Sequence, residues 1–519
     1  MPEPQSQRPN FVVFIADQHR WDHLGCAGHP ALKTPNLDRL AAGGVRFSRC
    51  YSTHPLCMPT RATWFTGLTA RGHGTRCNGI PLNPALPTMP EALCKAGYAT
   101  HGIGKLHFNN FGTAKGIPPQ TLDPKDWPES RWMWENKRIT RLPLPYYGLE
   151  TVDYIGGHGT WTWGDYLPWL LEREPQGQKL LSTPVGEATG TGPERVWRNA
   201  LPPELHYTSW MADRAIGFIE RQAGKRPFFL WCSFPDPHFP FTCAPPWCDM
   251  YRPEDMPPPK RCEGELESLP PHYKRLFESE VHTAGRIVPT NVPDEQIRRV
   301  HAMVCGMISQ IDHNVGRVLA ALERLGVKEN TCVVFMADHG QMLGDHWMLS
   351  MPPCHLDGTL RVPSLWRLPS RFRAGLVSDA LVSHLDFAPT ILDLAGVPVP
   401  EGRIPAQPEA AQQLPPWPGR SIVPLLTGQA HSVQDSVIAE NDEDYLGMRM
   451  RTLITKDYHM TVYAGQPYGE LFDLRNDPDQ LQNLWDDPNS RSMKRDLQTL
   501  LLDRLAATDN VLPRRLSHA

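Results

Sequence analysis

Phe11-Val12-Val13-Phe14-Ile15-Ala16 runs straight into Asp17-Gln18-His19-Arg20. Six apolar residues without polar alternation suit a strand buried on both faces of a parallel sheet. The pattern recurs three times: Thr331-Cys-Val-Val-Phe-Met-Ala337 ends in Asp338-His339-Gly340, Pro227-Phe-Phe-Leu-Trp-Cys-Ser-Phe234 in Pro235-Asp236-Pro237-His238, and Tyr98-Ala-Thr-His-Gly-Ile103 in Gly104-Lys105-Leu106-His107. Ligands of open α/β sheets bind outside the carboxyl ends of the strands, so these four endings are expected to meet in one crevice.

Outward from these strands, Thr34-Pro35 opens a helical segment closed by Gly43-Gly44, and Thr88-Met-Pro90 opens one closed by Gly97. Strand and helix alternate as in a doubly wound fold. From about Asp294 to Leu325, apolar residues at Ile297, Val300, Val304, Met307, Ile308, Ile311, Val315, Val318, Leu319 and Leu322 keep helical spacing and are read as scaffold. A stretch rich in Trp, Pro and Gly (118–203), with Trp127, Trp132, Trp134, Trp161, Trp163 and Trp169, breaks the alternation and is read as an insertion near the active-site mouth. Its tryptophans either pack a small satellite core or stack on substrate. After about Thr427 short alternating segments such as Arg451-Thr-Leu-Ile-Thr455 and Tyr458-His-Met-Thr-Val-Tyr463 indicate a smaller antiparallel sheet. The expected division is a catalytic α/β domain over 1–426 and an α+β subdomain over 427–519.

A chain of 519 residues readily buries a large core. Lys plus Arg number 52 against 56 for Asp plus Glu, a balance without the global field that gathers nucleic acid or anionic membrane. No apolar run approaches the roughly 20 residues of a spanning helix, and Phe11 to Ala16 is too short for a signal-peptide core; a cytoplasmic location is the expectation. The 12 cysteines are scattered, so reduced thiols are expected. Cys243 and Cys248, with Cys232 and Cys262 nearby, invite a zinc reading, against which stands the lack of any CxxC pair.

Cys57-Met58-Pro59-Thr60-Arg61 places a thiol just ahead of a proline that suits a first helical turn. The amides and macrodipole of a helix start favour negative charge, and Arg61 is expected within reach of an anion held beside residue 57. The substrate is therefore expected to be anionic.

Cys57, Pro59 and Arg61 resemble the sulfatase signature, whose cysteine a formylglycine-generating enzyme oxidises during maturation. Further segments resemble the same family: Phe14-Ile-Ala-Asp17-Gln18 with Leu24-Gly-Cys26, Thr34-Pro-Asn-Leu-Asp38-Arg-Leu40, Gly104-Lys105-Leu106-His107, Pro237-His238-Phe239-Pro240-Phe241, Asp338-His339-Gly340 through Gly344-Asp345-His346, and Glu470-Leu-Phe-Asp473-Leu with Asn483-Leu484. The resemblance implies an alkaline-phosphatase-like α/β fold, with a large, mostly parallel sheet flanked by helices and a smaller C-terminal antiparallel sheet. It implies Asp17, Gln18, Asp338 and His339 as ligands of one divalent metal beside the formylglycine at position 57. Gln18 stands where many sulfatases have an aspartate, and with an imidazole at 339 the ion is read as Ca²⁺ or Mn²⁺. Lys105 and His107 resemble the pair that grips the substrate anion and handles the proton of the aldehyde hydrate, and His238 the residue that protonates the leaving oxygen.

One departure concerns charge. The family commonly carries a second lysine where this chain, from Asp338 to Arg361, has none; its place falls near Ser350 and Met351. His238 is left to protonate the leaving group, with His346 or His355 as helpers, and the site is expected to favour singly charged esters. The leading expectation is a sulfate monoesterase acting on a small anionic ester, with phosphonate monoesters and phosphodiesters as further or even principal substrates. More distant readings are a two-metal phosphatase using Thr60 or another hydroxyl, and a non-catalytic anion-binding protein. Oligomeric state is left open, a homo-oligomer included.

Overall fold

The computed structural model describes residues 8–190, 194–278, 292–400, 417–443 and 446–508. Ten strands form the main sheet, in the order Arg361–Val362, Val45–Tyr51, Ser364–Arg367, Thr331–Ala337, Asn10–Ala16, Phe228–Phe234, Ala99–Gly104, Thr151–His158 and Trp161–Gly164, with Leu376–Ser383 pairing with Val45–Tyr51. The four strands read from their polar endings are contiguous at its centre and mutually parallel. Ala16 stands opposite both Ala337 and Phe234, and Gly104 opposite Ser233, so the four chains leave the sheet at one edge.

The apolar run follows from burial on both faces. Phe11, Val13 and Ile15 point into a core holding Trp64, Phe65 and Trp231. Val12, Phe14 and Ala16 point into a second core with Trp210, Ile311 and Val315. Successive strand side chains take opposite faces, so helices on both sides demand apolar residues at every position. The helix Cys57–Thr66 covers the first face, and the helices Tyr207–Gln222 and Asp294–Arg324 the second.

The helical spacing from Asp294 is one helix of 31 residues; Ile311, Val315, Val318 and Leu322 lie on the sheet, and Ile297, Val300, Val304 and Ile308 join a third core. Thr88 caps the helix Met89–Lys95 by accepting from the Glu91 N–H. Four antiparallel strands, Ser436–Glu443, Met448–Thr455, Tyr458–Tyr463 and Gly469–Asp473, make the smaller C-terminal sheet, against which the helix Arg491–Ala507 sets Leu497 and Leu501.

The tryptophan-rich tract has more order than an insertion requires: Thr151–His158 and Trp161–Gly164 extend the main sheet. Its tryptophans divide. Trp163 is buried and Trp134 packs against the same core, whereas Trp161 is 63% exposed. None of the twelve cysteines is joined in a disulfide. No helix among the described residues is long and apolar enough to cross a membrane.

Candidate active site

Among the described residues, one set of acidic, cysteine and histidine side chains gathers its ligand atoms: those of Asp17, Cys57, Asp338 and His339 all lie within 4.8 Å of one another, and all four are buried. Cys232, Cys243, Cys248 and Cys262 form no such group among the described residues, which removes the zinc reading. The register of Ala16 with Ala337 sets the two aspartates side by side as their strands end. Asp338 Oδ1 accepts from the Gln18 and His339 N–H groups, both at 3.0 Å. His339 Nδ1 faces the Gly340 carbonyl at 3.0 Å and so carries the proton, which leaves Nε2 as a lone pair 3.1 Å from Cys57 Sγ.

Arg61, on the helix that begins at Cys57, lies at the centre of this set. A guanidinium has five N–H donors, and five hydrogen bonds use them: two to Asp338 Oδ2 at 3.0 and 2.8 Å, one to Asp17 Oδ2 at 3.1 Å, one to the Lys105 carbonyl at 2.9 Å and one to Ser233 Oγ at 2.7 Å. The expectation that Arg61 reaches a substrate anion is corrected: no donor is left for one, and its charge holds the two carboxylates. Burial alone would raise the Asp17 carboxyl, but Lys105 and Arg61 outweigh it and hold Asp17 below its ordinary range.

These residues suit a divalent cation. Gln341 donates its amide N–H to the Gln18 carbonyl and accepts from Gln18 Nε2 at 2.9 Å, which fixes the Gln18 amide and leaves its Oε1 buried with no partner. A buried acceptor without a donor is costly, and a cation satisfies it. Carboxylate and amide oxygens with one imidazole nitrogen are the donor set of a hard or borderline ion.

Cys57 is the first residue of the helix Cys57–Thr66, every residue of which is buried. Asn78, absent from the sequence reading, braces this start by accepting from the Met58 N–H at 3.0 Å. Burial and then the Asp17 carboxylate push the Cys57 thiol well above its ordinary range, against the pull of Lys105. A thiol so held stays protonated and is a poor nucleophile.

Lys105 enters because Gly104 takes a φ of 86°, where a Cβ would collide with the Ser233 carbonyl. Its ammonium pairs with Asp17, lies 3.5 Å from Cys57 Sγ and donates to His158 Nε2 at 2.6 Å. His107, at φ 57°, stacks on Phe111 at 3.8 Å. Its loop is pinned by the buried Glu129 carboxylate, which accepts from the N–H groups of His107, Phe108 and Asn109 at 2.8, 2.9 and 3.0 Å. His238 stacks face to face on His158, centroids 3.7 Å apart and planes 7° apart. Burial and then the nearby positive charge of Lys105 hold the His107 and His238 imidazoles well below their ordinary range, so both are neutral without substrate.

Two expectations change here. His346 pairs with Glu265, and His355 bonds to Thr452 on the C-terminal sheet, so neither stands where a helper to His238 would. The histidine beside His238 is His158, at the end of the strand Thr151–His158. Sequence reading passed over it because it lies in the tryptophan-rich tract; Tyr154-Ile155-Gly156-Gly157-His158, another apolar run ending in a histidine, was the available signal.

Comparison with known proteins agrees with this geometry. The sulfatase family model matches residues 9–397, and that of the N-sulphoglucosamine sulphohydrolase C-terminal region matches residues 354–507. The chain is similar to an arylsulfatase of Clostridium perfringens, 29% identical over 92% of this chain and 90% of the relative. It is also similar to the multifunctional alkaline phosphatase superfamily protein PehA of Trinickia caryophylli, 28% identical over 97% of both. Among solved structures, the phosphonate monoester hydrolase of Agrobacterium radiobacter superposes with a TM-score of 0.78 at 25% identity, over 98% of this chain and 97% of that one. With a family model matching most of its length and a sheet edge of the form described above, the chain belongs to the sulfatase family, hydrolases of sulfuric and phosphoric esters on an alkaline-phosphatase-like fold.

Proposed function

We propose that the chain hydrolyses sulfate monoesters, in the manner of an arylsulfatase, through a formylglycine made from Cys57 and held beside one divalent cation. The carrying observation is the convergence of Asp17, Asp338 and His339 on Cys57 at a helix start. Oxidation to an aldehyde, once hydrated, supplies a hydroxyl nucleophile in place of a thiol that burial keeps protonated. Conversion requires a formylglycine-generating enzyme as a partner in maturation.

Asp17, Gln18, Asp338 and His339, with the oxygen at residue 57, would hold the cation, Ca²⁺ or Mn²⁺. Such an ion supplies positive charge beside the oxygens where negative charge develops. Lys105 receives the substrate anion next to residue 57 with the N–H that otherwise meets only the weak acceptor Cys57 Sγ, at 3.5 Å. One hydroxyl of the hydrated aldehyde gives its proton to Asp17, whose Oδ1 lies 3.8 Å from Cys57 Sγ and which passes it to water, and attacks sulfur. As that S–O bond forms, the S–O bond to the organic group breaks, and His238 gives its proton to the departing oxygen. His107 then takes the proton of the second hydroxyl, the C–O bond to sulfate breaks, the aldehyde re-forms and sulfate leaves. Water hydrates the aldehyde again. His238, neutral in the free site, gains its proton with the anion whose charge stabilises it.

The second reading, a phosphonate monoester hydrolase or phosphodiesterase with sulfate esters as minor substrates, is favoured by the likeness to the Agrobacterium radiobacter enzyme; Gln18 and His339 do not decide between the two. Sulfate monoesters, phosphonate monoesters and phosphodiesters each carry one negative charge and suit a site with one lysine facing the anion. Turnover of matched aryl sulfate and aryl phosphonate esters, on protein whose conversion at residue 57 has been quantified, tests the order. A preference above about tenfold for the phosphonate reverses it. The division at residue 426 and a cytoplasmic location, without nucleic-acid or membrane partners, belong to the same proposal.

A further inference from the structure

We propose that His158 is a positioning residue of the hydrolysis, holding the Lys105 ammonium from one side and backing the His238 ring with the other. It rests on the reading in which His238 protonates the leaving oxygen.

The Lys105 ammonium has three N–H groups and no acceptor. They face the Asp17 carboxylate, Cys57 Sγ at 3.5 Å and His158 Nε2 at 2.6 Å. His158 Nε2 therefore accepts, and its proton sits on Nδ1. A ring in that tautomer is neutral, so it lies against His238 without opposing a charge there. The stack, 3.7 Å between centroids and 7° from parallel, fixes the plane of His238. The bond from His238 Nδ1 to the Phe239 carbonyl fixes its rotation and leaves Nε2 as the atom that gives the proton.

The hairpin that carries His158 is itself held in place. A Cβ on Gly159 would lie 3.0 Å from Pro240, so the turn after His158 rests directly on the segment after His238. In the other strand, Trp163 donates to the Glu129 carbonyl at 3.1 Å, joining the hairpin to the residue that pins the His107 loop. The second fixed positive charge common in the family is missing from this chain, and a neutral ring at another place orders the lysine and the acid already present. The consequence is specific: losing His158 harms esters whose leaving group needs a proton more than esters whose leaving group does not.

The test is a series of aryl and alkyl esters of the turned-over acid, with leaving groups of rising pKa, measured on the parent, H158A, H158F, H158Q and H238A. Phenylalanine keeps a flat ring to stack but offers no acceptor; glutamine keeps an acceptor for Lys105 but does not stack. H158A is expected to lose about tenfold or less in kcat on nitrophenyl esters and on the order of 10²-fold on alkyl esters, approaching H238A. H158F is expected to keep the parent's leaving-group dependence with a raised KM, and H158Q to keep KM with a steeper dependence. A single common factor across the series in all three His158 variants, or no change, overturns the proposal. A parent that hydrolyses none of the esters fails the underlying reading instead, a result separable from either.

Discussion

Arg61 and Asp338 stand 277 residues apart, yet two guanidinium N–H groups of one converge on a single carboxylate oxygen of the other, at 3.0 and 2.8 Å. The contact ties the helix start at Cys57 to the end of a central strand. Because the same guanidinium also holds Asp17, one side chain sets the spacing of both acidic cation ligands.

Replacing Arg61 should therefore act on the cation site and on stability. R61A leaves two buried carboxylates short of their cation, a loss on the order of 3–5 kcal/mol. R61K should retain less than half of the bound metal, since a lysine cannot match a five-donor fork. Calorimetry and metal analysis check both; R61A with the parent's melting temperature and metal content would contradict them.

Removing the metal should lower the melting temperature and turnover together, because a cation bound only by the folded chain stabilises it by mass action. Chelation followed by addition of Ca²⁺ or Mn²⁺, read by thermal shift and activity, is expected to restore both. The buried, unpartnered Gln18 Oε1 gives the local version. Q18L should weaken metal binding by 10-fold or more, an order of magnitude typical of losing one well-placed polar partner.

Much of this was legible in the sequence because function and burial left separate marks. Strands covered on both faces write continuous apolar runs, and the residues just past them, Asp17, Lys105, His238 and Asp338, stand out by contrast. The long periodic helix was legible for the same reason. Arg61 was found but misassigned, because spacing gives its distance along a helix and not that both aspartates approach it from other strands. His158, Glu129, Asn78 and Gln341 were missed, each acting through a contact set by chain segments far apart in sequence.

Asp236 gives a pH dependence. Burial, only partly offset by bonds from Tyr207 and Thr208, pushes its carboxyl up to about 7 from 3.8. The folded state thus keeps a proton that the unfolded chain releases, so this contribution is fully present below the unfolded value and is lost as pH rises through about 7. A rise from 3.8 to about 7 corresponds to roughly 4 kcal/mol at the limit. D236N, which keeps an oxygen for Tyr207, should flatten the fall in stability between pH 4 and 7, as read from denaturant midpoints; a fall as steep as the parent's contradicts this.

Trp161 pairs with His158 in the hairpin register yet is 63% exposed, while Trp163, two residues on, is buried. Directly opposed residues share a face of a hairpin, so Trp161 stands on the face of the hairpin that carries His158. W161A should raise KM for ring-bearing esters about 5–10-fold, the size of one lost aromatic stack, and leave alkyl esters unchanged. Equal KM changes for both kinds of ester would assign Trp161 to packing alone.

The central claim concerns the atom that attacks. Mass spectrometry of the peptide containing residue 57, from protein made in its native host, should show the aldehyde in place of the thiol, with turnover tracking the converted fraction and C57A inactive. An unmodified thiol in protein that turns over esters at full rate would contradict it.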